Sequence, residues 1–195
     1  LGVVSTVYAL TGNGHFIQET LPNWLRMLEA LPHHVPIWTY KQSSLHTRFI
    51  AYLVQQGYPA ERFVRSAAVD VHAKSLYLWR PTPRWNGPIA KRPLTVRSYD
   101  DFQLLQGALK PRGCRPGPPT LLLLKRHPKS VRSFVDHEHI KSLLSRRAAM
   151  HHLQLAELLP GDQSVHREAC EFQRAHVVFG AHGAALANLV FCTPN

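Results

Sequence analysis

The residues able to do chemistry gather at three places in the chain. The first is Gly180-Ala181-His182-Gly183-Ala184-Ala185-Leu186-Ala187-Asn188. It follows the apolar Val177–Phe179 and opens a second apolar stretch, so it reads as a turn between a buried strand and a helix. In open parallel sheets, ligands bind beyond the carboxyl ends of the strands. The free amides and positive dipole end of a helix there suit a phosphate. Gly183 and the flanking alanines let a ligand approach the backbone. His182 adds a donor for a diphosphate. The same small residues also suit a tight turn that merely packs well, and one Gly-rich turn does not separate the two readings.

The second place follows the apolar run Thr120–Leu124 and carries Lys125, Arg126, Lys129 and Arg132. If that run is a strand of the same sheet, these cations fall on the same edge as the Gly180 turn. An anionic nucleotide needs such a convergence of cations and a helix start. Loop cations facing water are the plainer alternative. The third place is His15 and Glu19, four residues apart. On a helix they share a face, where the carboxylate can orient the imidazole and raise its pKa. Such a pair serves as a general base. Pro22 unsettles the register, and a core histidine with one satisfied hydrogen bond is the alternative.

Metal chemistry finds little support. In Asp136-His137-Glu138-His139 the two imidazoles lie about 200° apart on a helix. His33-His34 and His151-His152 are adjacent pairs without a second ligand set, and there is no His-Glu-x-x-His. Tyr99-Asp100-Asp101 reads as a helix start. Cys114, Cys170 and Cys192 share no ligand spacing, make no disulfide scaffold, and do not fix the redox compartment. No metal is expected. Neither a Gly-x-Ser-x-Gly elbow nor a phosphate-loop lysine motif is present.

The elements that must position these residues alternate between strand and helix. Of 195 residues, 45% are hydrophobic and 18% charged, which is a globular balance. No apolar run approaches the roughly 18 residues of a membrane span. Val3–Leu10, Val35–Tyr40, Arg62–Val64 and Ser75–Trp79 are strand candidates. His15–Leu31 is a helix with Ile17, Leu21, Trp24, Leu25, Leu28 and Leu31 on one stripe. Pro22 starts or kinks its main part. Ser44 caps a helix burying Leu45, Phe49, Tyr52, Leu53 and Gln56 and ended by Gly57. Ser98–Leu109 is a helix with Phe102, Leu105 and Leu109 inward. Later, Thr120–Leu124, His151–Leu155 and Val177–Phe179 are strands. Asp136 caps a helix burying Ile140, Leu143 and Leu144. Asp162 caps one burying Val165, Ala169 and Phe172. Ala185–Val190 begins the last helix.

This order implies right-handed parallel units. The fold class is α/β, with residues 1–110 as one lobe, the Pro-rich 111–119 as a linker, and 120–195 as a second lobe across a cleft. The net charge of +11 concentrates in the middle, where 111–147 carry +7 against +6 for 1–110 and −2 for 148–195. Such an excess attracts phosphates or is a solvated basic face. No aromatics interleave the stretch Arg112–Arg132, so nucleic acid is not an expected partner. Leu1–Leu10 has no basic leader, and the chain reads as a fragment.

These residues together resemble the family 61 glycosyltransferases. That family shows a strand, then Gly-x-His-Gly-Ala-Gly-Leu-Thr-Asn, then an apolar helix. Gly180, His182, Gly183, Ala184, Leu186 and Asn188 match, while Ala185 and Ala187 replace glycine and threonine. Lys125, Arg126, Arg132 and Glu138 stand near the family's basic strand end, arginine and Asn-Glu, with Asp136-His137 where asparagine belongs. Asp162-Gln163 leading to Ala175 looks like the family's Glu-Gln segment. Asn13-Gly14-His15, Glu19 and Leu21-Pro22 look like its N-terminal motif.

The resemblance covers nearly the whole chain. It implies a GT-B architecture of two Rossmann-like lobes, the C-terminal one incomplete at its end. It implies an inverting, metal-independent hexosyl- or pentosyltransferase that uses a nucleotide-sugar donor, expected to be UDP-linked, and a glycan or glycoprotein acceptor. By the same resemblance His15 and Glu19 are catalytic, and Lys125, Arg126, Arg132, Gln163, His182, Gly183, Ala184 and Asn188 bind the donor. The nucleotide-sugar is a co-substrate, and no further cofactor is expected. Eukaryotic members work in the Golgi or endoplasmic reticulum lumen behind a membrane anchor, and bacterial ones in the cytoplasm. A truncated or inactive relative and a basic nucleotide-binding α/β domain are the alternatives.

Overall fold

A computed structural model describes residues 2–4, 13–40, 44–66, 74–75, 77–78, 99–127, 130 and 133–193. The chain divides into two compact units, residues 1–108 and 109–195. Both are α/β with small parallel sheets. Among the described residues, no helix is long and apolar enough to cross a membrane.

In the first unit, β1 (Gly2–Val4), β2 (Ile37–Tyr40), β3 (Phe63–Ser66) and β4 (Tyr77–Leu78) form a parallel sheet of order β3-β2-β1-β4. The rest of the expected first strand lies outside the described residues. Between β1 and β2 runs one helical stretch: α1 (Asn13–His15), a π turn (Phe16–Thr20) and α2 (Leu21–Ala30). The π turn has a local cause. Pro22 has no N–H and crowds the carbonyl four residues back. The Leu21 amide therefore reaches five residues back, to the Phe16 carbonyl. Pro22 then stands in the first turn of α2, where its missing donor costs nothing.

The α2 stripe is buried as expected through Leu21, Trp24, Leu25 and Leu28. It packs with α3 (Ser44–Gln55), which buries His46, Phe49, Ile50, Tyr52 and Leu53. Here His46, not Leu45, points inward. Its ring lies 4.8 Å from Phe16, which also meets Trp24 at 5.2 Å and Phe49 at 5.1 Å. Burial pushes the His46 pKa down, which suits a neutral ring in an aromatic cluster. Buried Arg62 donates to the carbonyls of Leu28, Leu31 and Val35. It satisfies orphan acceptors at the α2 C-terminus, a role its sequence position did not suggest. In α4 (Tyr99–Leu109), Leu105 and Leu109 are buried, but Phe102 is exposed, contrary to expectation. Asp101, in the first turn of α4, pairs with Arg26 of α2.

In the second unit, β5 (Thr120–Leu124), β6 (Gln154–Leu158) and β7 (Ala175–Gly180) form a parallel sheet of order β6-β5-β7. β5 is central and every residue of it is buried, as its unbroken apolar run required. α5 (His137–Met150) joins β5 to β6, and α6 (Val165–Arg174) joins β6 to β7. Asp136 caps α5 by accepting from the His139 amide. Leu143 is exposed rather than buried, and Ala148 is the buried residue of this helix.

β6 starts three residues later than the spacing predicts. His151 and His152 instead close α5. The Leu153 amide reaches Ala148 O, the His152 amide reaches Ala149 O, and His152 takes φ 55°. This is the left-handed helix ending that glycine usually signals, so the sequence hid it. α6 buries Val165, Ala169 and Phe172 as expected, but its cap is Ser164, which accepts from the Arg167 amide, not Asp162. β7 is not a buried strand among the described residues: Val177 is 42% and Phe179 40% exposed. It pairs only on its β5 side there, whereas β5 is covered on both.

The Pro-rich residues 111–119 belong to the second unit. They lie along α6 at three successive turns. His166 Nε2 meets the Arg112 carbonyl at 2.8 Å, Cys170 is disulfide-bonded to Cys114, and Arg174 covers Gly117. The cysteine spacing gave no sign of this pair, 56 residues apart. The pairing follows from placing the segment against a helix far along the chain.

Candidate active site

The register of the second sheet sets the site. Leu124 of β5 stands opposite Leu158 of β6 and Gly180 of β7. All three strands therefore end in one row. The loops after them carry Lys125 and Arg126, then Gln163, then His182, Gly183 and Ala184. The order β6-β5-β7 places later strands on both sides of β5. Strand order reverses between β5 and β7, and such a switch point opens a crevice at the carboxyl edge. Lys125, Arg126 and the Gly180 turn meet there.

Contact between the two loops is direct. Arg126 Nη2 donates to the His182 carbonyl at 2.8 Å. A Cβ added at Gly183 would fall 1.5 Å from the same Nη2. A Cβ added at Gly180 would fall 2.9 Å from Leu124 Cβ. The two motif glycines therefore meet the same strand end: Gly180 is crowded by Leu124, the last strand residue, and Gly183 lies under the guanidinium of Arg126, two positions on. This changes the sequence reading of Gly183. The space above it is taken by a guanidinium, so an anion at this turn meets Arg126 instead of bare backbone. Arg126 Nε is buried without a hydrogen-bond partner.

Ala184–Phe191 is a 3₁₀ helix, and Leu186 N donates to Gly183 O at its start. His182 and Ala184 are exposed at the turn. Asn188 is buried in the 3₁₀ helix. Gln163 is half-buried just before the Ser164 cap. The Gly161 amide before it donates to buried Glu168 Oε1 at 2.8 Å, which ties the β6–α6 loop to α6. Arg132 and Lys129 lie outside the described residues.

A carboxylate that the sequence did not single out lies beside these cations. Glu157 of β6 accepts from His137 Nε2 at 2.8 Å and from Lys141 Nζ at 2.6 Å, with Lys125 Nζ at 3.6 Å. Burial pushes its pKa up. The Lys141 and His137 hydrogen bonds and the charges of Lys125 and Lys141 outweigh that and hold it at about 2. Hydrogen bonding to Glu157 raises the Lys141 pKa in turn. The signal was hidden by the three-residue error in β6, which left Glu157 beyond the strand.

The described residues contain one group of three possible metal ligands, Cys114, His166 and Cys170. The two sulfurs are joined as the disulfide along α6.

In the first unit, order β3-β2-β1-β4 again reverses beside β1. The helical stretch from Asn13 returns from the carboxyl end of β1 to the start of parallel β2, so its beginning lies toward that edge. His15 is half-buried there, immediately before the π turn, while Phe16 and Ile17 are 0% and 1% exposed. A widened turn of this kind often marks a functional position. Glu19 falls within the π turn; its side chain lies outside the described residues.

In the second unit a basic strand end thus meets a Gly-x-His-Gly turn at a switch point. The family model of glycosyltransferase 61 matches residues 13–195. The chain belongs to glycosyltransferase family 61. The match takes in the His15 segment, the β5 strand end and the Gly180 turn. Membership supports a glycosyltransferase activity, with a nucleotide-sugar donor and a glycan acceptor as the partners of the family. No curated protein matches the chain.

Proposed function

We propose that this family 61 domain is an inverting glycosyltransferase of GT-B architecture that takes a UDP-linked sugar. The observation that carries the donor assignment is the contact of Arg126 with His182 and Gly183 at the β5/β7 switch point. Lys125 and Arg126 then face the diphosphate together with the turn amides and His182. Arg132 belongs to the same set by family resemblance. Gln163 and Asn188 belong to the donor set by the same resemblance, Asn188 from a buried position.

Inversion is one displacement. The acceptor oxygen bonds to the anomeric carbon as the bond from that carbon to the diphosphate oxygen breaks. The hydroxyl proton passes to a base, for which His15 is the candidate, with Glu19 orienting it or taking the proton itself. The leaving diphosphate gathers charge, and preorganised cations stabilise such charge most when water is excluded. Lys125 and Arg126 supply them, and we assign the reaction no metal.

The Cys114–Cys170 disulfide supports a working place in an oxidising compartment, consistent with the secretory lumen in which eukaryotic relatives act. The test is hydrolysis and transfer assayed over a panel of nucleotide-sugars, with and without chelator. The expected result is turnover of a UDP-sugar that chelator leaves unchanged. Activity lost in chelator and restored by manganese overturns the metal-free mechanism. No turnover with protection by UDP retained identifies an inactive relative.

A further inference from the structure

The Glu157 cluster was assigned by neither the motif nor the family match. Glu157 shares a cross-strand row with Leu123 and Phe179, one residue inside the carboxyl edge. His137 and Lys141 are four apart on α5 and therefore share a face. Each hydrogen-bonds one oxygen of the carboxylate, His137 to Oε1 and Lys141 to Oε2. Lys125 Nζ, 3.6 Å from Oε1, is attracted but stands beyond hydrogen-bond length. Its side chain is 43% exposed against 21% for Glu157, so the ammonium is held from below and open above.

The charges are matched as well. Lys125, Arg126 and Lys141 against Glu157 leave two positive charges among the lysines, the arginine and the carboxylate. A nucleotide-sugar diphosphate carries two negative ones. A counter-charge placed only for neutralisation would sit anywhere nearby. Glu157 is instead anchored from α5 on both oxygens, which makes it a fixed point against which a flexible lysine stem can settle.

We propose that Glu157 is a positioning residue for the donor, holding Lys125 over the β5 strand end so that its ammonium meets the diphosphate. This rests on the donor-site reading above. The effect runs through Lys125, so it must vanish when Lys125 is absent.

The test is calorimetric titration of the full chain with UDP, for wild type, Glu157→Gln, Lys125→Met and the double variant. Glu157→Gln should weaken UDP about threefold to tenfold, the scale of one half-exposed charge contact. In the Lys125→Met background the same change should cost less than about twofold, the coupling being the signature of contact. Glu157→Asp keeps the charge but withdraws it by one methylene, so it serves if the glutamine variant unfolds; it should lose about twofold to fivefold, again only with Lys125 present. Unchanged or tighter UDP binding in the Glu157 variants overturns the proposal and makes Glu157 a counter-charge. An equal loss in both backgrounds overturns it in favour of a structural role. Absence of UDP binding by the wild type, with other nucleoside diphosphates also failing, sinks the donor-site reading itself, and this proposal with it.

Discussion

Replacing Gly183 by Ala puts a methyl 1.5 Å from Arg126 Nη2, so one of the two must move. The guanidinium is the far end of a flexible side chain and yields first. Its departure breaks the 2.8 Å hydrogen bond to the His182 carbonyl. A hydrogen bond from a charged donor at an exposed position contributes about 1 kcal/mol. The backbone adds its own cost, because Gly183 sits at φ 156° and ψ −172°, a region nearly closed to other residues. That strain is about 1–3 kcal/mol. The total, about 2–4 kcal/mol, is tolerable for a domain of ordinary stability, so the variant should fold with a lower urea midpoint. Its affinity for UDP should fall about tenfold, equivalent to about 1.4 kcal/mol, because Arg126 is displaced from the diphosphate. In an Arg126→Ala background the steric conflict is gone. There Gly183→Ala should still lower stability through strain but should not weaken UDP further. The assays are urea unfolding and titration calorimetry on the four proteins of the cycle. Wild-type UDP affinity in Gly183→Ala refutes the reasoning, as does an equal affinity loss in both backgrounds.

Three other outcomes follow from the same contacts. His15→Ala should reduce turnover by about 10² to 10⁴ while UDP affinity stays within twofold, about the loss general-base removal causes; full turnover in steady-state assays would remove His15 from the mechanism. Reducing Cys114–Cys170, or replacing Cys114 by Ser, should lower unfolding free energy by about 2–4 kcal/mol, given a closed loop of some 56 residues; identical urea curves with and without reductant would show that the bond does not form. Glu157 is held at about 2 against an ordinary value of 4.5, so its stabilising contribution is complete above pH 4.5 and is lost as pH falls toward 2; acid unfolding of Glu157→Gln should be shallower than wild type over that window, and superimposable acid curves would contradict the assignment.

Much of the site was legible from residue order. Thr120–Leu124 reads as an apolar, buried strand, and Gly180-Ala181-His182-Gly183 as the turn that follows another strand. Lys125 and Arg126 therefore had to emerge at the same edge once both strands were parallel. Other features needed partners distant in sequence. Leu45 and His46 offer the helix similar stripes, and the aromatic pocket of Phe16, Trp24 and Phe49 decides for His46. Val177 and Phe179 are apolar enough for a core, yet exposure depends on what lies beside β7.

The sequence alone determined the alternation of strand and helix, the burial of β5, the Asp136 cap of α5, and the family motif, because each depends on residues within a turn or two of one another. Tertiary structure decided the rest. Arg126 over Gly183, Cys114 with Cys170, Arg62 on the end of α2, and Glu157 among Lys125, Lys141 and His137 each join residues 20 or more positions apart, except Lys141, sixteen from Glu157. Periodicity carries no information on such pairs. They are set by which strands lie side by side and in what register, and a register of one residue changes which side chains share a face.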